Sequence, residues 1–122
     1  MILKADIKKF ELPVAEIRIK RLSDMLGADA ILKIKALSFD RLEEIRESSS
    51  NSSNARVQIV LAASDFNFGD EALKEKFNLP AKTPKSEVMK RILTAGEIEE
   101  IYLKVSQLSG YNRETIEEIK KK

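Results

Sequence analysis

Cysteine, histidine and tryptophan are all absent from this 122-residue chain. Without cysteine there is no disulfide, no iron–sulfur ligation and no thiol nucleophile, a pattern that suits a reducing compartment. Without histidine or cysteine, zinc sites of the usual kinds have no ligands, and Ser–His or Cys–His nucleophilic catalysis has no base. Carboxylates, lysines and two tyrosines remain. Glu99 and Glu100 are adjacent, as are Glu117 and Glu118. Neighbours on a helix diverge by about 100°, so neither pair can work as a carboxylate dyad. The expectation is a protein with no catalytic site, no metal and no cofactor.

An excess of one charge is also missing. The chain has 22 basic and 20 acidic residues, and no third of it is one-sided enough to expect phosphate binding. Lys85, Lys90 and Arg91, with Lys120 to Lys122, are the best case for a nucleic-acid-associated regulator. Against it, Glu87, Glu97, Glu99 and Glu100 are interleaved with them, and no recognition-helix pattern is present. Long apolar runs are lacking too. The longest, Ile59 to Ala63, is far too short to cross a membrane. The N-terminus has no signal-peptide core, so the expected location is the cytoplasm.

What is present reads as one α+β domain over residues 1–122, mainly helical, with an N-terminal β-hairpin packed against about five helices. Residues 1–13 are weakly amphipathic and end at Pro13, an arm whose order depends on what it packs against. Glu16 to Lys20 alternates polar and apolar, as does Ile31 to Leu37. Turn residues between Ser23 and Asp29 complete a hairpin with Ile17, Ile19 and Ile34 on its buried face. Ser38 caps a helix holding Phe39, Leu42 and Ile45. The Ser/Asn tract 48–53 is polar throughout and is expected to be a flexible, solvated loop. A helix from Asn54 to about Asp65 is apolar around most of its circumference and should be central. Asp70 caps a short helix with Leu73 and Phe77.

The last third has the sharpest signals. Thr83-Pro84 opens a helix with Val88, Met89, Ile92 and Leu93 on one stripe. Thr94 and Glu97 have capping-box spacing, flanked by Leu93 and Ile98 as a hydrophobic staple. Ile98, Ile101, Tyr102, Val105 and Leu108 then form a stripe, closed by Gly110 as a left-handed residue, with Tyr111 folding back. Asn112 caps a final short helix bearing Ile116 and Ile119.

Several of these segments resemble the XkdN-like tail assembly chaperones of phages and prophages of Gram-positive bacteria. The resemblance rests on Leu3 to Pro13, on Lys35 to Ile45, and above all on Gly96-Glu97-Ile98 followed by Leu108-Ser109-Gly110-Tyr111. Each piece also has a structural explanation as cap, staple or stripe; the ordered set carries the likeness. Ala95 stands where the family commonly has Pro, and the Ser/Asn tract is atypical.

The resemblance implies a non-enzymatic protein that binds the tape measure protein and keeps it soluble until tail tube subunits polymerise around it. It would be absent from the mature virion. It implies contact with the tube protein and self-association as further possibilities, and a frameshifted long form if Lys120 to Lys122 are encoded by a slippery run. Helices 84–93 and 97–109, as an αα pair, are the expected surface for a partner helix, with Met89, Tyr102 and Tyr111 as candidate contacts. An apolar stripe is more often a fold's own core, and that bland reading stands beside the functional one for each residue. A structural tail component is the remaining alternative.

Overall fold

In a computed structural model, which describes residues 12–110, the two alternating segments pair as expected. Strand β1 (Val14–Arg18) runs antiparallel to β2 (Ile31–Lys35), with Ala15 opposite Ile34 and Ile17 opposite Leu32. Leu32 and Ile34 are buried, while Ala15, Ile17 and Ile19 are half-buried beside the same core.

The connection between the strands differs from the expected turn. It contains a helix, α1 (Lys20–Leu26), closed by Gly27 at φ 67°, a left-handed position that glycine occupies without penalty. Ser23, expected in the turn, is buried inside this helix. Its Oγ donates to the Ile19 carbonyl at 2.9 Å and accepts from the Ala30 amide at 2.8 Å, which stitches α1 to the entry of β2. Only Leu22 among the apolar side chains of α1 is buried.

Helix α2 (Phe39–Ser48) starts where Ser38 caps the Arg41 amide. Leu42 and Ile45 enter the core as expected, but Phe39 is 72% exposed. It is the first helical residue, and Leu37, just before the cap, is buried. The Ser/Asn tract supplies helix ends. Ser48 closes α2, Asn51 accepts from the Asn54 amide at 2.8 Å, and α3 (Ser52–Ala63) begins one residue later. Only residues 49–51 lie between the two helices.

Helix α3 is central. Val57, Ile59, Val60 and Ala63 are buried, Leu61 and Ala62 are half-buried, and the helix packs against α2, α5 and α6. Its exit covers the outer edge of β2, where Ser64 bridges to Ile34 and the Asp65 amide donates to the Lys33 carbonyl at 2.8 Å. Helix α4 (Glu71–Lys76) is capped by Asp70. The chain after it is held by Lys74, a buried lysine whose Nζ donates to the Ala81 carbonyl at 2.7 Å.

Helix α5 (Lys85–Ile92) follows Pro84, which is the cap rather than the first helical residue. Helix α6 (Ala95–Leu108) has the full capping box: the Glu97 amide donates to Thr94 Oγ1 at 3.2 Å and the Thr94 amide to Glu97 Oε1 at 2.8 Å. Leu93 and Ile98, the staple pair, are both buried. Gly110 has φ 95°, the left-handed closure expected of it. Helices α5 and α6 do not form the expected pair; each packs mainly on α3. The two strands and six helices make the mainly helical α+β architecture read from the sequence. The arm before Leu12, Tyr111, the final short helix and Lys120 to Lys122 lie outside the described residues.

Candidate partner-binding groove

Phe39, Val14 and Leu103 are exposed singly, but four of the exposed large apolar side chains gather in one groove beside α1. A helix of seven residues presents two faces. Leu22, Met25 and Leu26, spaced i, i+3 and i+4, share one of them; Leu22 is buried, while Met25 and Leu26 remain 65% and 66% exposed. Ile31 opens β2 beside them at 56%, and Phe66, in the segment joining α3 to α4, is 48% exposed. Phe66 meets buried Phe68 edge to face, with ring centroids 4.8 Å apart, a favoured arrangement for aromatic pairs. Leu73 of α4 and Phe77 just after it complete a groove of about 310 Å³ whose other walls are Leu22, Leu32 and Ile92. Asp29 and Lys76 are the charged residues at its rim.

Arg21 holds one wall in place. Its Nη2 donates to Glu97 Oε1 at 2.9 Å and to the Ile92 carbonyl at 2.6 Å, its Nε donates to Glu97 Oε2 at 3.1 Å, and its Nη1 lies 3.2 Å from Met25 Sδ. A forked guanidinium–carboxylate contact is geometrically demanding, so α1 is clamped to the junction of α5 and α6. The hydrogen bond from Arg21, reinforced by the Thr94 amide, holds the Glu97 carboxyl below the usual carboxylate range, while partial burial opposes the shift. The same hydrogen bond raises the Arg21 guanidinium further above its already high value.

The residues singled out in the sequence fall elsewhere. Met89 is fully buried and offers nothing to a partner; its place is the core. Tyr102 is half-buried on the face toward α2 and α3, lining a shallow depression with Arg46, Asn51 and Ile59. Tyr111 is outside the described residues. Of the motif residues, Leu93 and Ile98 are core and Leu108 packs against it. Ser109 Oγ accepts from the Leu37 amide at 3.1 Å, fastening the end of α6 to the exit of β2. Gly96 faces open space. Glu97 has a double role, as capping residue and as the anchor of Arg21.

Met25, Leu26 and Ile31 were missed because they come from a segment read as a turn and from a strand end, and Phe66 because it follows the helix expected to end near Asp65; scattered apolar residues there carry no periodic signal. Among the described residues no cluster of metal-ligating side chains occurs, and no helix is long and apolar enough to cross a membrane.

Comparison with known proteins gives this geometry a context. The sequence matches the model of the phage XkdN-like tail assembly chaperone family over residues 2–121. The chain belongs to this family. No curated protein matches it. Among solved structures, the crystal structure of the protein yqbN superposes with a TM-score of 0.63 at 20% identity. The alignment covers 92% of the chaperone and all of the yqbN chain, so the two share a fold.

Proposed function

We propose that this tail assembly chaperone holds an apolar helical stretch of the tape measure protein in the groove beside α1, keeping that protein soluble until tube subunits take its place. The observation that carries the reading is the cluster of Met25, Leu26, Ile31 and Phe66, large apolar side chains about half to two-thirds exposed around one groove. Singly exposed apolar residues are ordinary, but a contiguous group marks an interaction surface. An extended helical chain displays apolar stripes before its tube exists, and such stripes aggregate unless covered. A shallow groove with few polar anchors suits a hold that must later be released, because its affinity comes from many modest contacts. Methionine at the lip adapts to differing side chains along a target.

Co-expression with the tape measure protein tests this. That protein is expected to be soluble and to co-purify with the wild-type chaperone. With Met25→Glu/Leu26→Glu it is expected to precipitate, although the variant folds, since both side chains are about two-thirds exposed. A tape measure protein that precipitates equally with and without the wild-type chaperone would overturn the proposal.

A further inference from the structure

A two-stranded sheet has two outer edges, and in this one they are treated differently. The edge of β2 is covered by Ser64 and Asp65. The edge of β1 has no backbone partner among the described residues. Its bonds to β2 are made by alternate residues: the Pro13 carbonyl accepts from the Ala36 amide at 2.8 Å, and the Ile19 amide donates to the Ala30 carbonyl at 2.9 Å. With the observed register, Ala15 and Ile17 are the intervening bonded positions. The backbone groups of Val14, Glu16 and Arg18 therefore point away from β2, and among the described residues no backbone group faces them. An open edge of this kind is a template for another strand. Beside it a groove of about 490 Å³ runs between β1 and α6, with Ile17 and Ile101 on its walls.

We infer that the occupant is β1 of a second copy of this chain, paired antiparallel about a two-fold axis through Ile17. The argument is one of register. Outward-facing backbone groups belong to residues 14, 16 and 18, so a bonded pair must join two of these or their next alternate neighbours, Leu12 and Lys20. Centring the axis on Ala15 would pair Val14 with Glu16 and Leu12 with Arg18 and make no ion pair. Centring the axis on Glu16 would set two like charges opposite each other, which is destabilising. Centring it on Ile17 sets Glu16 opposite Arg18 of the second copy, and by symmetry the reverse pair on the other side. Bonded pairs place Cα atoms about 5.5 Å apart, within reach of an ion pair. All four side chains lie on the exposed face. On the groove side, Ile17 meets Ile17 of the second copy, so the axis joins apolar to apolar. Arg18 now pairs with Asp29 at 2.8 Å with both side chains largely exposed, and such surface pairs are readily shared or exchanged. The strand is thus self-complementary in charge and shape in one register, which an unrelated extended segment would match only by chance. This association rests on the edge of β1 and is independent of tape measure binding.

The test is a charge swap read by sedimentation velocity across a wide concentration range. The wild-type chain is expected to show a concentration-dependent dimer. Glu16→Arg alone, and Arg18→Glu alone, each set like charges across the axis twice, and each is expected to weaken dimerisation by about tenfold or more. Mixed together, the two variants place opposite charges at both positions, and a heterodimer of wild-type strength is expected. Wild-type amides of Val14, Glu16 and Arg18 should also gain hydrogen-exchange protection as concentration rises, a readout that needs no substitution. The inference is overturned by a wild-type chain that stays monomeric, as it would if residues 1–11 or another segment covered β1. It is overturned equally by single variants that dimerise as well as wild type, by a mixture that does not recover, or by exchange that ignores concentration.

Discussion

Replacing Met89 by alanine separates core from surface in this chaperone. The side chain is fully buried on α5 within the main cluster, beside Val88 and Ile92. Truncation removes three heavy atoms. At ~0.8 kcal/mol for each buried methylene-sized group, the lost transfer energy is ~2.4 kcal/mol. The void left behind, roughly 60 Å³ if nothing relaxes, adds ~1.5 kcal/mol at the cavity coefficient measured in other cores. The sum of ~4 kcal/mol lies within the usual range for Met→Ala and is reduced to the extent that the site collapses. For a domain of this size, each kcal/mol lowers Tm by roughly 3–6 °C, so Met89→Ala should melt more than 10 °C below wild type in a circular dichroism scan. Met25→Ala, at an exposed position, should melt within about 2 °C of wild type because surface truncations rarely exceed ~0.5 kcal/mol. The contrast is the point of the experiment. A Met89→Ala protein that melts with the wild type would refute the core assignment and return that residue to the candidate contacts.

Three further outcomes follow from the α5–α6 junction. Folding lowers the carboxyl of Glu97 below its ordinary range, so the stability it contributes is fully present above that range and is lost as pH falls through the lowered value. Glu97→Gln should therefore lower Tm at neutral pH and match wild type in strong acid, while Thr94→Ala should cost about 1 kcal/mol in chemical denaturation; a Glu97→Gln deficit that persists unchanged into acid would contradict the clamp. Gly96 sits in the first turn of α6 with open space where a Cβ would stand, so Gly96→Ala should raise stability by about 0.5 kcal/mol. Loss of tape measure solubilisation in that more stable variant would show that the glycine is kept for a partner.

How much of this was legible depended on whether a signal was local. Thr94, Glu97, Leu93 and Ile98 announce a helix start within six residues, and the structure forms that box and staple in full. Ser38 and Asp70 cap as expected because a cap is a bond between near neighbours. Helix α1 was missed because Ser, Asp and Gly normally mark a turn. Here Ser23 is satisfied by Ile19 and Ala30 inside the fold, a tertiary fact with no sequence period. Phe39 was misplaced by a spacing argument that cannot tell a helix's first residue from its inner turns; Leu42 and Ile45 are buried and Phe39 is not. The groove was illegible for a related reason. Its walls come from α1, the start of β2, the loop after α3 and α4, and which apolar side chains remain uncovered is decided only when all four have packed. Met89 and Tyr102 looked similar on a helical stripe; one is sealed by its neighbours and the other is not.

The ties that close this molecule span most of its length. Arg21 reaches Glu97, and Leu37 reaches Ser109, so both the helix between the strands and the exit of the sheet are secured by residues near the far end of the described fold. A chain emerging from the ribosome forms its N-terminal strands early and must carry them uncovered until α3 and then α6 arrive, since such distant closures are slow to form. These two ties form only once α6 is in place. During that wait the protein is itself a chain with greasy faces exposed, in the same predicament as the client it is proposed to protect.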